Sequence, residues 1–123
     1  MQSFKKYESS LKIKPDNYIG LHNWGIVLLE YAKKKDGEEA EELMKRSFEK
    51  FIKSEEIIKG YSAYNLACIY SLVGEVKKSL FWLEKGLRLK SDPFRNHILT
   101  DSDLDNIKHS ENFNKLINKY RPE

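Results

Sequence analysis

The sequence predicts an all-α protein built from antiparallel helical hairpins, and three observations support this fold class. Apolar residues recur three and four positions apart along almost the whole chain, which is the period of an α-helix packed on one side. The 123 residues include only six glycines and three prolines, and strand-like alternation is scarce. The breaks between periodic segments are short, so consecutive helices are expected to pack antiparallel.

The periodicity predicts six helical segments. The first ends before Pro15 and carries Phe4, Tyr7 and Leu11 on one side. The segment KKKDGEE separates the second helix from the third, and Gly60 and Gly74 mark the next two breaks. The stretch KSDPFRNHILTDSDLDNIKHS is irregular and rich in helix-capping residues. The five later helices are predicted at residues 17–34, 38–58, 61–73, 76–89 and 110–120.

Two of the predicted hairpins carry related residues at matching positions in their first helices. Gly25 lies ten residues after Pro15, with Trp24 before it and Leu28 three positions on. A small residue at such a position lets the partner helix approach closely, while the large neighbours fill the space around it. The corresponding positions in YNLACIYSL are held by Leu66, Ala67 and Tyr70.

The second helices of the two hairpins can be aligned in the same way. We match Ala40, Met44 and Ser47 in the first hairpin with Ser79, Leu83 and Gly86 in the second. This alignment requires three extra residues in the turn KKKDGEE. About five further residues would lengthen the second helix near FIKSEEIIKG, since Gly25 and Ala67 are 42 positions apart and the ideal repeat has about 34.

These features resemble the tetratricopeptide repeat, whose pattern is W-x2-L-G-x2-Y…A-x3-F…P. The resemblance implies one domain, a right-handed superhelix of helical hairpins closed by a C-terminal capping helix. The segment TDSDLDNI resembles the closing segment of such proteins, with Leu104 and Ile107 plugging the last hairpin. The implied units are residues 1–15 as the second helix of a partial repeat, 17–58 as a repeat with a long second helix, 60–91 as a repeat, and 92–123 as the cap and terminal helix.

The resemblance also implies a binding site, because the first helix of each hairpin lines the concave groove in this family. Asn23 and Asn65 occupy equivalent positions, and a side-chain amide can both donate to and accept from the backbone of an extended peptide. The groove lacks the lysines and arginines with which some relatives clamp a C-terminal carboxylate. The candidate peptide-binding residues are Ile19, His22, Asn23, Ile26, Glu30, Tyr61, Tyr64, Asn65, Cys68 and Ser71.

We expect no enzymatic activity, no cofactor and no metal site. The sequence contains no Gly-rich phosphate loop and no triad spacing. His22 and Cys68 are expected to face the same groove, but two ligands are fewer than a metal site needs. The leading hypothesis is therefore a non-catalytic scaffold that binds a protein or peptide. The alternatives are an RNA-associated helical repeat and a regulatory segment of a larger multidomain protein.

Basic residues concentrate in one predicted helix and the segment after it. They are interpreted as a solvated outer face, or alternatively as a surface for RNA or an acidic partner. The net charge is only +3, and no platform of stacking aromatic residues is evident. Nucleic acid is therefore not the expected partner. The basic residues are Lys77, Lys78, Lys85, Arg88, Lys90 and Arg95.

Three further expectations concern the context of the chain. The helix with Phe4, Tyr7 and Leu11 has no preceding partner helix, which predicts a C-terminal piece of a longer repeat protein or self-association through this end. The longest apolar run, residues 26–29, is far shorter than the ~20 residues of a membrane span, so no membrane association is expected. The single cysteine excludes an internal disulfide and is compatible with a reducing, cytoplasmic location.

Overall fold

The computed structural model describes residues 17–89 and 98–120 of the chain. In these two ranges the protein contains five α-helices, one short 3-10 turn and no strand, which confirms the all-α class. The partial repeat at residues 1–15, with Phe4, Tyr7 and Leu11, lies outside the described residues, as do Lys90 and Arg95. The elements are α1 (Tyr18–Lys33), α2 (Gly37–Ile57), α3 (Ala63–Leu72), α4 (Val76–Leu89), the 3-10 turn (Ser102–Leu104) and α5 (Glu111–Lys119).

Internal contacts divide the chain into two units, Met1–Ser62 and Ala63–Glu123. In the first unit, α1 and α2 form a hairpin. The Ser54 hydroxyl donates to the Tyr18 carbonyl near one end, and the Ser47 hydroxyl donates to the Gly25 carbonyl near the middle. Contacts that run in opposite directions along the two helices define an antiparallel pair. The buried cluster toward the turn consists of Trp24, Leu28, Ala32 and Leu43.

Close approach of α1 and α2 depends on Gly25. A Cβ atom added to Gly25 would lie only 2.7 Å from the ring of Phe51, which has no exposed surface. Real Cβ atoms do not approach other carbon atoms so closely, because van der Waals contact begins about 1 Å farther out. Glycine is therefore the residue that lets the large ring of Phe51 fill the space between the helices.

The second unit contains the hairpin of α3 and α4. The Ser79 hydroxyl donates to the Ala67 carbonyl at 2.7 Å, and Gly86 lies against the backbone of Tyr64. The turn between the helices uses Gly74, whose φ of +82° suits glycine because it has no Cβ. The amide of the next residue, Glu75, returns to the Tyr70 carbonyl at 2.8 Å and closes the end of α3.

The residues after α4 complete the core of the second unit. Leu104 and Ile107 have no exposed surface, and they belong to one cluster with Ala67 and Leu83. This is the position expected for residues that plug the hairpin. The same cluster includes Phe113 and Leu116 of α5. Ser110 caps the start of that helix, because its hydroxyl accepts the Phe113 amide proton at 3.0 Å.

The hydrogen bonds correct the sequence alignment of the two hairpins. Gly25 and its serine partner Ser47 are 22 residues apart, whereas Ala67 and Ser79 are 12 apart. Ser47 is thus the counterpart of Ser79, and not of Gly86 as the alignment had it. The ten additional residues all lie between Gly25 and Ser47. They lengthen the turn end of the first hairpin, whereas the sequence alignment has eight additional residues, three of them in the turn and about five near residue 58.

Candidate functional site

Four of the candidate binding residues of the first unit lie on the outward side of α1. Ile19, Asn23, Ile26 and Glu30 are spaced four, three and four positions apart, which places them on one face of the helix. Ile19 and Ile26 are 46% and 36% exposed, Asn23 is half-buried and Glu30 is exposed. We call these four residues the α1 face. It combines two accessible apolar side chains with an amide and a carboxylate.

A shallow depression of about 190 Å³ adjoins the end of this face. Its walls are apolar, and its rim carries one negative and one positive side chain. Such a depression can accept one apolar side chain of a ligand, and the rim can accept polar or charged neighbours of that side chain. The lining residues are Ile26, Val27, Glu30, Tyr31 and Lys34.

His22 and Tyr61 lie next to each other in the same unit. Their ring centroids are 4.7 Å apart in an edge-to-face arrangement, and Tyr18 meets Tyr61 in the same way at 5.1 Å. The Nδ1 atom of His22 lies 2.7 Å from the Ser62 hydroxyl. A serine–histidine pair is the core of many hydrolases, but Ser62 has no exposed surface. The pair therefore fixes the junction after α2 and offers no accessible nucleophile.

Glu55 is a buried carboxylate that sequence reasoning missed. Its side chain is 5% exposed, and its two oxygens accept the amide protons of Gly60 and Ser62 at 2.9 and 2.7 Å. The sequence offered one signal for this role. Glu55 lies in the run SEE at the end of a predicted helix, five residues before Gly60. The carboxylate closes the turn that leads out of α2, because it satisfies two backbone donors that would otherwise be buried without acceptors.

The structure buries three of the candidate residues of the second unit. Tyr64, Cys68 and Ser71 are 8%, 2% and 0% exposed, whereas Asn65 is half-buried. The groove predicted from the sequence requires all four of these side chains to face a ligand. The physical reason for the difference is that the closing segment of the chain covers this side of α3. The side-chain amide of Asn106 donates to the Ser71 carbonyl at 2.8 Å, which holds the segment in place.

Asp101 is the polar centre of this contact. Its Oδ2 atom accepts the Tyr64 hydroxyl proton at 2.5 Å and lies 3.9 Å from the Cys68 Sγ, while its Oδ1 accepts the Asp103 amide proton. Burial and the hydrogen bond to Asp101 raise the pKa of Tyr64 above its ordinary value. The tyrosine is therefore a neutral donor at every physiological pH.

Cys68, Asp101 and Asp103 offer three potential metal-ligand atoms within 4.8 Å of one another. The oxygens of Asp101 already accept protons from Tyr64 and from the Asp103 backbone. These bonds give the cluster a structural role, since they join the start of the 3-10 turn to α3. The ten candidate residues thus fall into two groups, an accessible one on and beside α1 and a largely covered one on α3.

No protein-family model matches the chain, and comparison with curated protein sequences and with solved structures finds no match. Within residues 17–89 and 98–120, none of the helices combines the length and the apolar character that crossing a bilayer requires.

Proposed function

We propose that the protein is a non-catalytic interaction module of the tetratricopeptide type that binds a peptide or helix of a protein partner. In this proposal the hairpins stack into a right-handed superhelix, and the first helix of a hairpin presents the binding surface. Two small residues at helix crossings, Gly25 and Ala67, support the assignment, since each has a serine hydroxyl bonded to its carbonyl. A cytoplasmic location is part of the same proposal.

The observation that carries the binding function is the exposure of Ile19 and Ile26 on the α1 face. The side of α1 that faces α2 is well covered, with Leu28 at 0% and Ala32 at 2% exposure. The two isoleucines remain accessible beside an amide that can pair with a peptide backbone. An accessible apolar stripe interrupted by a polar residue is typical of a surface that binds an amphipathic segment.

The depression beside Ile26 defines which side chain of a peptide would be recognised. One apolar side chain of the ligand enters between Ile26 and Tyr31, and Asn23 pairs with the ligand backbone one helical turn away. The expected ligand is therefore a short segment with one apolar anchor. Because the depression is shallow, we expect modest affinity, in the micromolar range that corresponds to about −8 kcal/mol.

A peptide-display selection against the folded chain tests this function. Selected peptides are synthesised, and their dissociation constants are measured for the wild type and for Ile26→Lys and Asn23→Ala. We expect Ile26→Lys to weaken binding at least about tenfold, because a charge replaces the apolar contact at the centre of the site. The matched control is Ile57→Lys, since Ile57 is similarly exposed (39%) but lies at the end of α2.

Two results would contradict the proposal. One is a selection that enriches no peptide above the background of an unrelated helical protein. The other is an Ile26→Lys variant that keeps its helical circular dichroism spectrum and binds selected peptides as tightly as the wild type. Asn65→Ala, tested separately, reports whether the half-buried amide at the equivalent position of α3 contributes to the same binding.

A further inference from the structure

The α1 face carries side chains at the spacing of a coiled-coil contact. Its four residues, at positions 19, 23, 26 and 30, follow one another at intervals of four, three and four. Alternating intervals of three and four place side chains along the line at which two helices pack together. A side chain of one helix then enters a hole between four residues of the other helix. The α1 face therefore has the spacing that a second helix requires.

The surface around Ile26 has the form of such a hole. Positions 23, 26, 27 and 30 are related as the four residues of a hole are, and their side chains are exposed or half-buried. The depression of about 190 Å³ continues this concave surface toward Tyr31. Ile26 is itself a branched apolar side chain that is 36% exposed. One helix thus presents both an apolar side chain and a hole of the kind that accepts it.

The two polar side chains of the α1 face complement each other. The side-chain amide of Asn23 forms no hydrogen bond within residues 17–89 and 98–120. The Oε1 atom of Glu30 accepts a proton from Lys33 at 3.2 Å, and the Glu30 side chain is 56% exposed. A carboxylate can accept several hydrogen bonds. The face therefore holds an amide donor and a carboxylate acceptor, which can pair with those of a second, reversed copy of the same face.

We propose that the α1 face pairs with the α1 face of a second copy of the chain, with the two helices antiparallel across a twofold axis at Ile26. Asn23 lies three positions before Ile26 and Glu30 four positions after it. Each Asn23 therefore lies opposite the other copy's Glu30 and donates to its carboxylate. Each Ile26 enters the hole of the other copy between them. A patch that is its own complement forms a closed, twofold dimer.

The charges determine the direction of the pairing. A parallel pair would place the Glu30 carboxylates of the two copies against each other, and like charges that meet in an interface oppose association. The antiparallel pair separates the two carboxylates and gives each of them an amide donor. A polar residue within a coiled-coil contact is a common device for fixing register and orientation. Asn23 has that role in this pairing.

The pairing is expected to be weak and to regulate access to the face. A single pair of short helices buries less than the about 1,200 Å² of a standard interface, as in transient contacts. We therefore expect a dissociation constant of about 10–100 μM. The dimer covers Ile26 and the adjoining depression. A bound peptide and a second copy would exclude each other, and this competition is the one part of the inference that rests on the proposed function.

Sedimentation equilibrium of the full chain tests the pairing. It is measured between about 5 μM and 1 mM protein, which brackets the expected dissociation constant. We expect the average mass of the wild type to rise toward that of a dimer. Ile26→Lys should weaken the association at least about tenfold, because two like charges would meet at the twofold axis. Ile57→Lys is the matched control, since Ile57 is 39% exposed and lies at the end of α2.

Cysteine cross-linking tests the antiparallel register. The single native cysteine, Cys68, is 2% exposed and is expected to stay unreactive in the folded protein. Asn23→Cys and Glu30→Cys are purified in reduced form, mixed and exposed to a mild oxidant. We expect the mixture to form a disulfide-linked dimer at least about tenfold faster than either variant alone, because positions 23 and 30 of different copies lie opposite each other. Ile57→Cys mixed with Glu30→Cys measures linking by random collision.

Three outcomes would overturn the inference. These are a wild type that stays monomeric up to 1 mM, an Ile26→Lys variant that associates as strongly as the wild type, and Asn23→Cys that links to itself as fast as to Glu30→Cys. Circular dichroism verifies that each variant is folded. Neither measurement uses a peptide. A peptide selection that enriches nothing therefore contradicts the proposed function alone, and a monomeric wild type that binds selected peptides contradicts the pairing alone.

Discussion

The hydroxyl of Ser47 donates a hydrogen bond of 2.7 Å to the backbone carbonyl of Gly25, across the interface of α1 and α2. Ser79 makes the same bond, at the same distance, to the carbonyl of Ala67 in the other unit. All four residues are buried, and Ser47, Ser79 and Ala67 have no exposed surface. In both hairpins, therefore, a serine hydroxyl bonded to the carbonyl of a small residue holds the two helices together where they cross.

Removal of the serine hydroxyl tests whether this hydrogen bond stabilises the helix crossing. We expect Ser47→Ala and Ser79→Ala each to lower the free energy of unfolding by about 1 kcal/mol, the usual net value of one buried hydrogen bond. Urea titration followed by circular dichroism measures the change. Ser102→Ala is the control, since Ser102 is exposed. Equal stabilities of all three variants would show that the serines do not hold the crossings.

Gly25→Ala tests the close approach of the two helices. The new Cβ would clash with the buried Phe51 ring at 2.7 Å, and overpacking of this kind costs about 1–3 kcal/mol. Gly86→Ala is the matched control, because its nearest contact, the Tyr64 amide nitrogen, is 3.4 Å away. We expect the control to change stability by less than about 0.5 kcal/mol, since the helix propensity of alanine offsets a slight crowding.

A double variant distinguishes the clash from other effects of alanine. Combining Gly25→Ala with Phe51→Ala removes all three ring atoms, Cδ1, Cε1 and Cζ, that the Cβ would meet. The two changes together should therefore cost less than the sum of their separate costs. Additive costs would mean that the ring of Phe51 does not determine the need for glycine.

Glu55→Gln tests the buried carboxylate at the end of α2. Both carboxylate oxygens accept backbone protons, whereas a glutamine amide has one acceptor atom and would point its NH2 group at the second donor. We expect a loss of about 2 kcal/mol, as for hydrogen bonds to charged groups. Glu56→Gln at the exposed neighbouring position should leave the denaturation midpoint unchanged. A Glu55 variant as stable as the Glu56 variant would contradict this role.

Tyr64→Phe tests the bond to Asp101 through its pH dependence. The pKa of Tyr64 is raised in the folded state, so the folded protein keeps the phenolic proton at a pH at which the unfolded chain, with a pKa of about 10, releases it. The stabilisation is therefore present below about pH 10 and is lost as pH rises further. We expect wild-type stability to decline more steeply than that of Tyr64→Phe between about pH 9.5 and 11.5. If the stabilities of the wild type and Tyr64→Phe decline equally with pH, deprotonation of Tyr64 does not cause the loss of stability at alkaline pH.

Much of the fold was predictable because helical periodicity and turn residues are local signals. The helix predicted at 76–89 coincides with α4, and the one predicted at 17–34 differs from α1 by one residue at each end. The register of the first hairpin was not predictable in this way. Ala40 and Ser47 are both small residues of α2, seven positions apart, and only the hydrogen bond to Gly25 shows which of them lies at the helix crossing.

The candidate site was predictable only in the first unit. The spacing of Ile19, Asn23 and Ile26 places them on one helix face, and that face is accessible. The same reasoning placed Cys68 and Ser71 on a face of α3 without indicating what covers it. That information lies more than thirty positions away, in Asp101 and Asn106. The residue pattern of one helix does not indicate which distant segment of the chain packs against it.

The ten additional residues between Gly25 and Ser47 have a practical consequence. Three of them lie in α1 and seven in α2, an average of five per helix, which at 1.5 Å per residue extends the tip of the first hairpin roughly 7 Å farther from its crossing. The exposed residues 34–36 at that tip are remote from the serine contact. A fluorescent domain or an affinity epitope spliced between Lys35 and Asp36, which do not line the depression beside Ile26, would report on the protein inside a cell while both chain ends remain unmodified.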